Sequence, residues 1–308
     1  MYFPYFRGRQ YELIALRELA IKGLINNFVI PIIEPIKLTP TFNNTLQEFH
    51  TRELPYALIF NPSVGELTNT PDLTDELFSR LNGYHTGVPS IILNSNSTNT
   101  LAMLYQKGFS NEKLLTIINN RDFLNIYKEH FSNAAPKYTL FPEERQIRRT
   151  VNNNKVLFEN KFNKQIRNAD YPEDEFYSED HLFFREEGYT GFGDYSIVGD
   201  EYVESGFTPY AVAIHIVYFA DDKTFRIRHF ISDSNEDAYD IAGKYHEAVT
   251  KLTQWYNTGQ KHQSTSALSA FITHAETGYF PGLPTVKKLS IMHHLELVGK
   301  FLVRGMVI

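Results

Sequence analysis

The sequence predicts an α/β protein of the TIM-type (β/α)8 barrel class, with a C-terminal β-hairpin and helices packed on the barrel. Eight short apolar runs lie between residues 2 and 198, and most are followed by a segment of helical period. Continuous apolar runs of this kind are typical of strands buried on both faces, as in parallel sheets. Eight such strands alternating with helices close a barrel, and 308 residues are enough for one.

The eight predicted strands are residues 2–6, 28–34, 56–60, 90–93, 113–118, 137–141, 155–159 and 191–198. The first helical segment, 11–25, carries a wide apolar stripe at helical spacing. Further helices are predicted over 74–83, 100–109, 121–131 and, shorter, 142–151. Thr74 is a candidate N-cap residue and Gly83 a typical residue after a helix end.

The pattern changes after residue 200. Two β-rich runs, 210–219 and 224–232, are joined by a short polar linker and predict a β-hairpin. Three helices follow, over residues 235–256, 266–276 and 288–305. No linker rich in Gly, Pro or Ser precedes this part. We therefore predict that residues 1–200 form the main part of the barrel and that 201–308 complete or cover it.

Composition excludes several classes of function. The chain contains no cysteine, which excludes disulfides, thiolate nucleophiles and cysteine-ligated metal sites. A net charge of −6 argues against a generally basic nucleic-acid binder. The N-terminus lacks a signal-peptide pattern, and no apolar run approaches the roughly 20 residues of a membrane span. We expect a cytoplasmic protein without a membrane segment, and no motif indicates a cofactor.

Polar side chains follow nearly every predicted strand, where a parallel barrel forms its C-terminal mouth. This end carries the active sites of barrel enzymes. Glu34 ends the apolar run FVIPIIE, and a lone buried charge would be costly, so we expect it at the rim near Arg7 and Glu159. The candidate ligand-binding residues at the mouth are Arg7, Arg9, Asn61, Asn94, Asn119, Arg121, Arg145, Lys161 and Tyr195.

Three carboxylates are the catalytic candidates: Glu34, Glu159 and Asp194, which follow or end the second, seventh and eighth predicted strands. Neighbouring carboxylates can divide into a general acid and a general base. Three oxygen ligands can also hold a hard divalent cation, although we predict no metal site. The alternative is that each forms a structural ion pair with Arg7, Arg9 or Lys161. Ser63 has no nucleophile-elbow context, so a Ser–His–Asp hydrolase is not expected.

The N-terminal segments MYFPYFRGRQYELIALRELA and VIPIIEPIK resemble the beta-protein family of phages and bacteria. The matching residues are Tyr2, Pro4, Arg7, Gly8, Arg9, Ala15, Leu16, Leu19, Pro31, Ile32, Ile33 and Glu34, and GFGDY (191–195) also resembles a family segment. The branch it resembles is often encoded beside a PD-(D/E)XK nuclease-like protein. The resemblance implies a barrel fold and work beside a nuclease-like companion in phage–host conflict. It implies no catalytic residue.

Charge is unevenly distributed along the chain. Residues 145–167 are basic and can meet the phosphates of a ligand or nucleic acid. Residues 170–187 are acidic, and we expect them to form a long loop over the mouth. His215 and His229 lie on the two hairpin strands and are expected to face each other. Three hypotheses remain: binding of an anionic ligand or partner at the mouth, carboxylate-based catalysis there, and nucleic-acid binding through 145–167.

Overall fold

The computed structural model describes residues 1–68, 70, 72–81, 83, 85–204, 208–259 and 263–304. Within these residues, eight parallel strands form a closed barrel, which confirms the TIM-type (β/α)8 fold. The barrel strands, in spatial order, are β1 (Tyr2–Phe6), β2 (Ile32–Ile33), β3 (Tyr56–Ile59), β4 (Gly87–Ile92), β5 (Leu115–Ile117), β6 (Tyr138–Phe141), β7 (Lys155–Phe158) and β9 (Gly191–Asp194). Pairing of β9 with β1 closes the barrel.

The helices that alternate with these strands are α1 (Gln10–Ile21), α2 (Pro40–Thr51), α3 (Leu73–Leu81), α4 (Ser97–Gln106), α5 (Leu124–Phe131), α6 (Arg145–Thr150) and α7 (Asp180–Phe183). Helix α2 was missing from the sequence prediction, although its start carries clear signals. The Thr39 side chain caps it by accepting a hydrogen bond from the Phe42 N–H, and Pro40 occupies the first turn.

The barrel interior is filled by alternate residues of its strands. Phe3 and Tyr5 of β1, Ile32 of β2 and Phe158 of β7 belong to one buried cluster, which Tyr195 joins just after β9. The intervening residues, such as Tyr2, face the outer side of the strands. This alternation follows from the two-residue period of a strand, and it decides which strand-end side chains can reach the mouth.

The segment GFGDY supplies small residues where the barrel closes. Gly193 pairs with Phe3 of β1 and with Phe158 of β7. A Cβ atom there would lie 3.0 Å from Phe158 Cδ2 and would collide with the backbone oxygen of Phe3. Glycine therefore lets β9 fit between strands whose inward side chains are large aromatic rings.

Gly193→Ala is expected to lower the free energy of unfolding by about 3 kcal/mol, because a strand backbone must shift to admit the methyl group. Urea denaturation of both proteins measures this change. Gly23→Ala is the control: Gly23 has a φ of +64° but nothing within 4 Å of the added carbon. Its cost should be limited to the backbone penalty of about 1 kcal/mol. Equal costs at both positions would contradict the close-approach argument.

The chain divides into two compact units. The barrel unit comprises residues 1–160 and 180–195, and the second unit comprises 161–179 and the chain from Ser196 onward. The sequence placed its boundary at residue 200, whereas here residues 161–179 belong with the C-terminal part. The physical reason is backbone pairing, because β8 (Asp174–Ser178) hydrogen-bonds to a strand of the predicted hairpin.

The second unit contains an antiparallel sheet and helices that pack on it. The predicted hairpin is present as β10 (Ala213–Phe219) and β11 (Phe225–Ile231), and β8 pairs with β11 to give three strands in the described part. Its helices are α8 (Ile241–Asn257), α9 (Ser266–Thr277) and α10 (Leu283–Arg304). Residues 205–207, 260–262 and 305–308 of the predicted C-terminal part lie outside the described residues, including Gly305 at the predicted helix end.

The prediction of a long loop over residues 170–187 is wrong. Asp174–Ser178 form strand β8 and Asp180–Phe183 form helix α7. The acidic residues of β8 face basic residues of β11: Asp174 forms ion pairs with Arg226 and, at 3.9 Å, with Arg228. Opposite charges on neighbouring strands stabilise such pairing, so the acidic charge of Asp174 contributes to a sheet rather than to a loop.

Candidate functional site

The barrel mouth brings Arg7 and Glu34 together at the ends of β1 and β2. Tyr5 pairs with Ile32 in the parallel register, and both belong to the interior cluster. Two residues further on, Arg7 and Glu34 therefore also point inward. The Glu34 N–H donates to the Phe6 carbonyl at 2.8 Å, which extends the strand pairing to this point. The sequence prediction that Glu34 lies near Arg7 is confirmed.

Glu34 is buried, with 1% of its surface exposed, rather than at a wet rim. Its Oε2 accepts a hydrogen bond from the Tyr5 hydroxyl at 2.7 Å. Its Oε1 accepts two more from Ser63, from the backbone N–H at 2.6 Å and from the hydroxyl at 2.7 Å. Donors therefore engage both carboxylate oxygens, which is how a protein stabilises a buried charge.

Arg7 provides the opposite charge. Its Nε lies 3.8 Å from Glu34 Oε2, and its side chain is 11% exposed. The guanidinium carbon lies 5.9 Å from the ring centre of Tyr5 and 5.6 Å from that of Tyr195. Two aromatic faces therefore share the cation with the carboxylate, an arrangement that holds a guanidinium in one place.

Tyr5 links the interior of the barrel to this ion pair. Burial, with a further contribution from the charge of Glu34, raises the pKa of Tyr5 well above its ordinary value. The phenol therefore stays protonated and remains a hydrogen-bond donor to Glu34. The side chains of Tyr5, Arg7, Glu34, Ser63 and Tyr195 form what we call the mouth cluster.

Asp194 does not join the mouth cluster. It accepts a hydrogen bond from the Tyr2 hydroxyl at 2.8 Å, and Tyr2 also stacks on Phe192. Tyr2, Phe192 and Asp194 share the outer side of their strands, whereas Tyr5 and Tyr195 share the inner side. The structure thus separates Asp194 from Glu34 across the barrel wall.

The surroundings of Glu159 differ from those of Glu34 and Asp194. It is half-buried after β7, and its Oε1 accepts a hydrogen bond from the Glu143 N–H at 3.0 Å. Its own N–H donates to the Gly193 carbonyl at 3.3 Å. Each of the three candidate carboxylates thus accepts hydrogen bonds from different neighbours. Within the described ranges, no three His, Asp or Glu side chains are grouped so as to hold a metal ion.

The side chains of Asn61 and Asn94, two of the three candidate asparagines, form hydrogen bonds with backbone groups. Asn61 receives a hydrogen bond from the Ile92 N–H at 2.9 Å and donates one to the Ile92 carbonyl at 2.6 Å, which ties the end of β3 to β4. The Asn94 side chain accepts from the Asn96 N–H at 2.9 Å, just before α4. Both side chains therefore shape the mouth loops, which is the ordinary role of asparagine in turns.

The remaining candidates differ in exposure and in their contacts. Asn119, Arg121 and Arg145 are exposed, and Arg121 lies 3.8 Å from Glu144. Arg9 precedes α1, where its backbone N–H donates to the Glu12 carboxylate at 3.3 Å. Lys161 belongs to the second unit, whereas the mouth cluster belongs to the barrel unit.

The basic stretch 145–167 is not one continuous surface of a single unit. It passes from the barrel unit to the second unit after Asn160. Several of its cations form ion pairs: Arg148 with Glu143 at 2.8 Å, Lys164 with Glu201 at 3.0 Å and Arg167 with Asp170 at 2.8 Å. Neighbouring carboxylates partly neutralise these charges, which weakens the case for phosphate binding by this stretch.

Two members of the mouth cluster were missed as site residues. Tyr5 precedes Arg7 by two residues, so strand alternation alone places the two on one side of β1. Ser63 was considered only as a nucleophile and set aside. No local pattern shows that it caps a carboxylate 29 positions earlier, because that contact depends on the neighbouring positions of β2 and β3.

The fold and the mouth cluster together define a TIM-type barrel protein. Its Arg7–Glu34 ion pair is buried at the end of the barrel where the strands terminate. A scan of the chain against models of known protein families found no match, and a search of curated proteins found none. In the described part of the chain, the helices are too short or too polar to cross a bilayer.

Proposed function

We propose that this protein is a binding protein whose barrel mouth takes up an anionic ligand, or an anionic group of a macromolecule, at Arg7. We further propose that it belongs to the beta-protein family and acts in the cytoplasm, together with a nuclease-like companion in phage–host conflict. The resemblance of the N-terminal segments motivates the family and the companion. The arrangement of the mouth cluster supports the binding role.

The observation that carries the proposal is that both carboxylate oxygens of Glu34 already accept hydrogen bonds from the protein. Tyr5 and Ser63 donate to both of its oxygens, and Arg7 is the only cation within 4.0 Å of it among the residues described. A general base needs an oxygen within reach of the substrate proton. Here the carboxylate instead holds Arg7 at the mouth, where a guanidinium suits carboxylate and phosphate groups.

The alternative is a barrel enzyme that uses mouth carboxylates as general acid and base on an anionic or phosphorylated substrate. This function requires that Glu34 give up its two hydrogen bonds from Ser63 and contact the substrate instead. Binding of the anion by Arg7 is common to both functions. A substrate screen with Glu34→Gln separates them, since only the enzyme loses turnover while keeping the ligand.

Inorganic phosphate is a suitable first probe of the mouth. Phosphate should raise the melting temperature of the wild-type protein more than chloride at equal ionic strength, because a ligand that binds only the folded state stabilises it. In Arg7→Met, the increase should vanish, since losing one charge-assisted contact weakens binding about tenfold or more. For each protein, the melting temperature in phosphate is compared with that of the same protein in chloride. This comparison separates a loss of phosphate binding from a loss of stability.

Arg52→Met is the matched control. Arg52 follows the end of α2 and forms an ion pair with Glu48, away from the mouth cluster. Its variant should keep the phosphate effect. An equal phosphate effect in Arg7→Met and wild type would count against the mouth as the anion site.

The companion is tested separately by native mass spectrometry. The protein is purified after co-expression with the product of the neighbouring gene, and again alone. Added mass of a protein in the first preparation supports a partner, and added mass of a small molecule in the second supports a ligand. A bare chain in both preparations would remove the partner from the proposal.

A further inference from the structure

The second unit contains a cavity of about 230 Å³, and none of its described lining residues belongs to the mouth cluster. Its walls are mainly apolar and include Phe162, Tyr171 and Ile197. Its polar lining includes His215, Lys164 and Lys287, and no carboxylate among the described residues. The volume is below the roughly 300–1,000 Å³ of pockets for drug-sized molecules, so a small occupant is expected.

His215 is the end of a hydrogen-bonded chain of three side chains. It pairs with His229 across β10 and β11, as the sequence predicted, and their Nδ1 atoms lie 2.6 Å apart. The other nitrogen of His229, Nε2, lies 3.1 Å from Oε1 of Glu175 on β8. The hydrogen-bonded chain therefore runs from Glu175 through His229 to His215, and His215 lines the cavity.

This order determines where the protons lie. A carboxylate only accepts hydrogen bonds, so His229 carries its proton on Nε2 and presents an unprotonated Nδ1. His215 must then donate from its own Nδ1. Its Nε2 is left with a lone pair, as a hydrogen-bond acceptor. None of the described residues donates to that nitrogen, and His215 lines the cavity.

Aromatic packing fixes both imidazole rings. Tyr171 stacks on His229, with ring centres 4.7 Å apart, and contacts His215 edge-on at the same distance. Phe162 lies 5.2 Å from His215. Burial, with smaller contributions from His229 and Lys287, lowers the pKa of His215 well below its ordinary value. Both packing and burial favour a neutral, immobile acceptor, which is the requirement for a specific contact.

We propose that this cavity binds a small organic anion that carries an O–H or N–H group. His215 Nε2 accepts a hydrogen bond from that group, Lys287 attracts the anionic end, and the aromatic wall contacts the apolar body. Glu175 and His229 are positioning residues, because they act on the ligand only through the tautomer and orientation of His215.

The test uses 4-hydroxybenzoate, which combines an anion, a donor and an aromatic body. Benzoate lacks the donor, and 4-hydroxybenzamide lacks the charge. Isothermal titration of the full chain should give saturable binding of 4-hydroxybenzoate, about fivefold weaker binding of benzoate and about tenfold weaker binding of the amide. These comparisons use the wild-type protein, so they do not depend on the folding of a variant. Equal affinities for the three compounds, or no saturable binding of 4-hydroxybenzoate, would overturn the proposal.

Variants then locate the site. His215→Phe should reduce the affinity for 4-hydroxybenzoate to that for benzoate, whereas His130→Phe in the barrel unit should leave it unchanged. Nitrogen-15 NMR of the histidines should report an unprotonated His215 Nε2, and Glu175→Gln should disturb that signal. Unchanged binding in His215→Phe, or a protonated Nε2 in the wild type, would refute the role of His215.

Discussion

Glu34→Ala is expected to lower the free energy of unfolding of the barrel unit by about 3–5 kcal/mol, the usual cost of removing one partner of a buried ion pair. Arg7 would remain buried without its carboxylate. The Tyr5 hydroxyl, the Ser63 hydroxyl and the Ser63 N–H would lose their acceptor. Urea denaturation followed by circular dichroism measures the change.

Glu66→Ala is the matched control for this prediction. Glu66 pairs with Lys37 at 3.0 Å, but both side chains are more than half exposed. An exposed ion pair contributes only about 0–1 kcal/mol. If Glu34→Ala were as mild as Glu66→Ala, the carboxylate would not be the buried anchor of the mouth cluster.

The second large effect is a loss of stability of the second unit in acid. His293 and His294 of α10 are buried, and burial lowers the pKa of His293 to about 4 and that of His294 to about 3. His293 contacts Thr265 and the Val217 carbonyl, each at 2.8 Å, and His294 contacts Ser196 at 2.9 Å. Their neutral rings are thus held within the unit.

The direction of the pH effect follows from proton binding by the unfolded chain. An exposed histidine takes up a proton as the pH falls through about 6.5, whereas these folded residues do not until about pH 4 or below. Their contribution is therefore complete above pH 6.5 and is lost progressively towards pH 4. Each histidine should remove on the order of 3 kcal/mol from the free energy of unfolding over that range.

Urea denaturation at several pH values checks this prediction. His293→Gln should reduce the pH dependence between about 6.5 and 4, although it also lowers stability at neutral pH. His246→Gln, at an exposed position of α8, should leave the pH dependence as it is. A pH dependence that is the same in His293→Gln and wild type would show that another group titrates.

The barrel was predictable from the sequence because its signals are local. The apolar run at 2–6 forms β1 over the same residues, and the runs at 137–141 and 155–159 form β6 and β7 within a residue. The run at 28–34 contributes only Ile32–Ile33 as strand β2. Pro31 lies within that run and has no N–H to donate to a neighbouring strand, which shortens regular pairing.

The candidate site was only partly predictable. The position of Arg7 and Glu34 at the ends of adjacent strands follows from counting residues along each strand. The hydrogen-bond partners of Glu159 and Asp194 do not follow from counting residues. Asp194 lies in the predicted position along the chain, but the alternation around Gly193 turns its side chain to the outer side of the barrel, towards Tyr2.

The sequence by itself therefore determined the eight barrel strands, the barrel class, the hairpin and the pairing of His215 with His229, but not helix α2, strand β8 or helix α7. The tertiary structure decided which distant residues meet. Tyr2 and Asp194 are 192 positions apart, and Glu175 and His229 are 54 apart. Strand and helix periods are set by neighbouring residues, so they can be read locally. Contacts of this kind depend on strand register and barrel closure, which the whole chain determines.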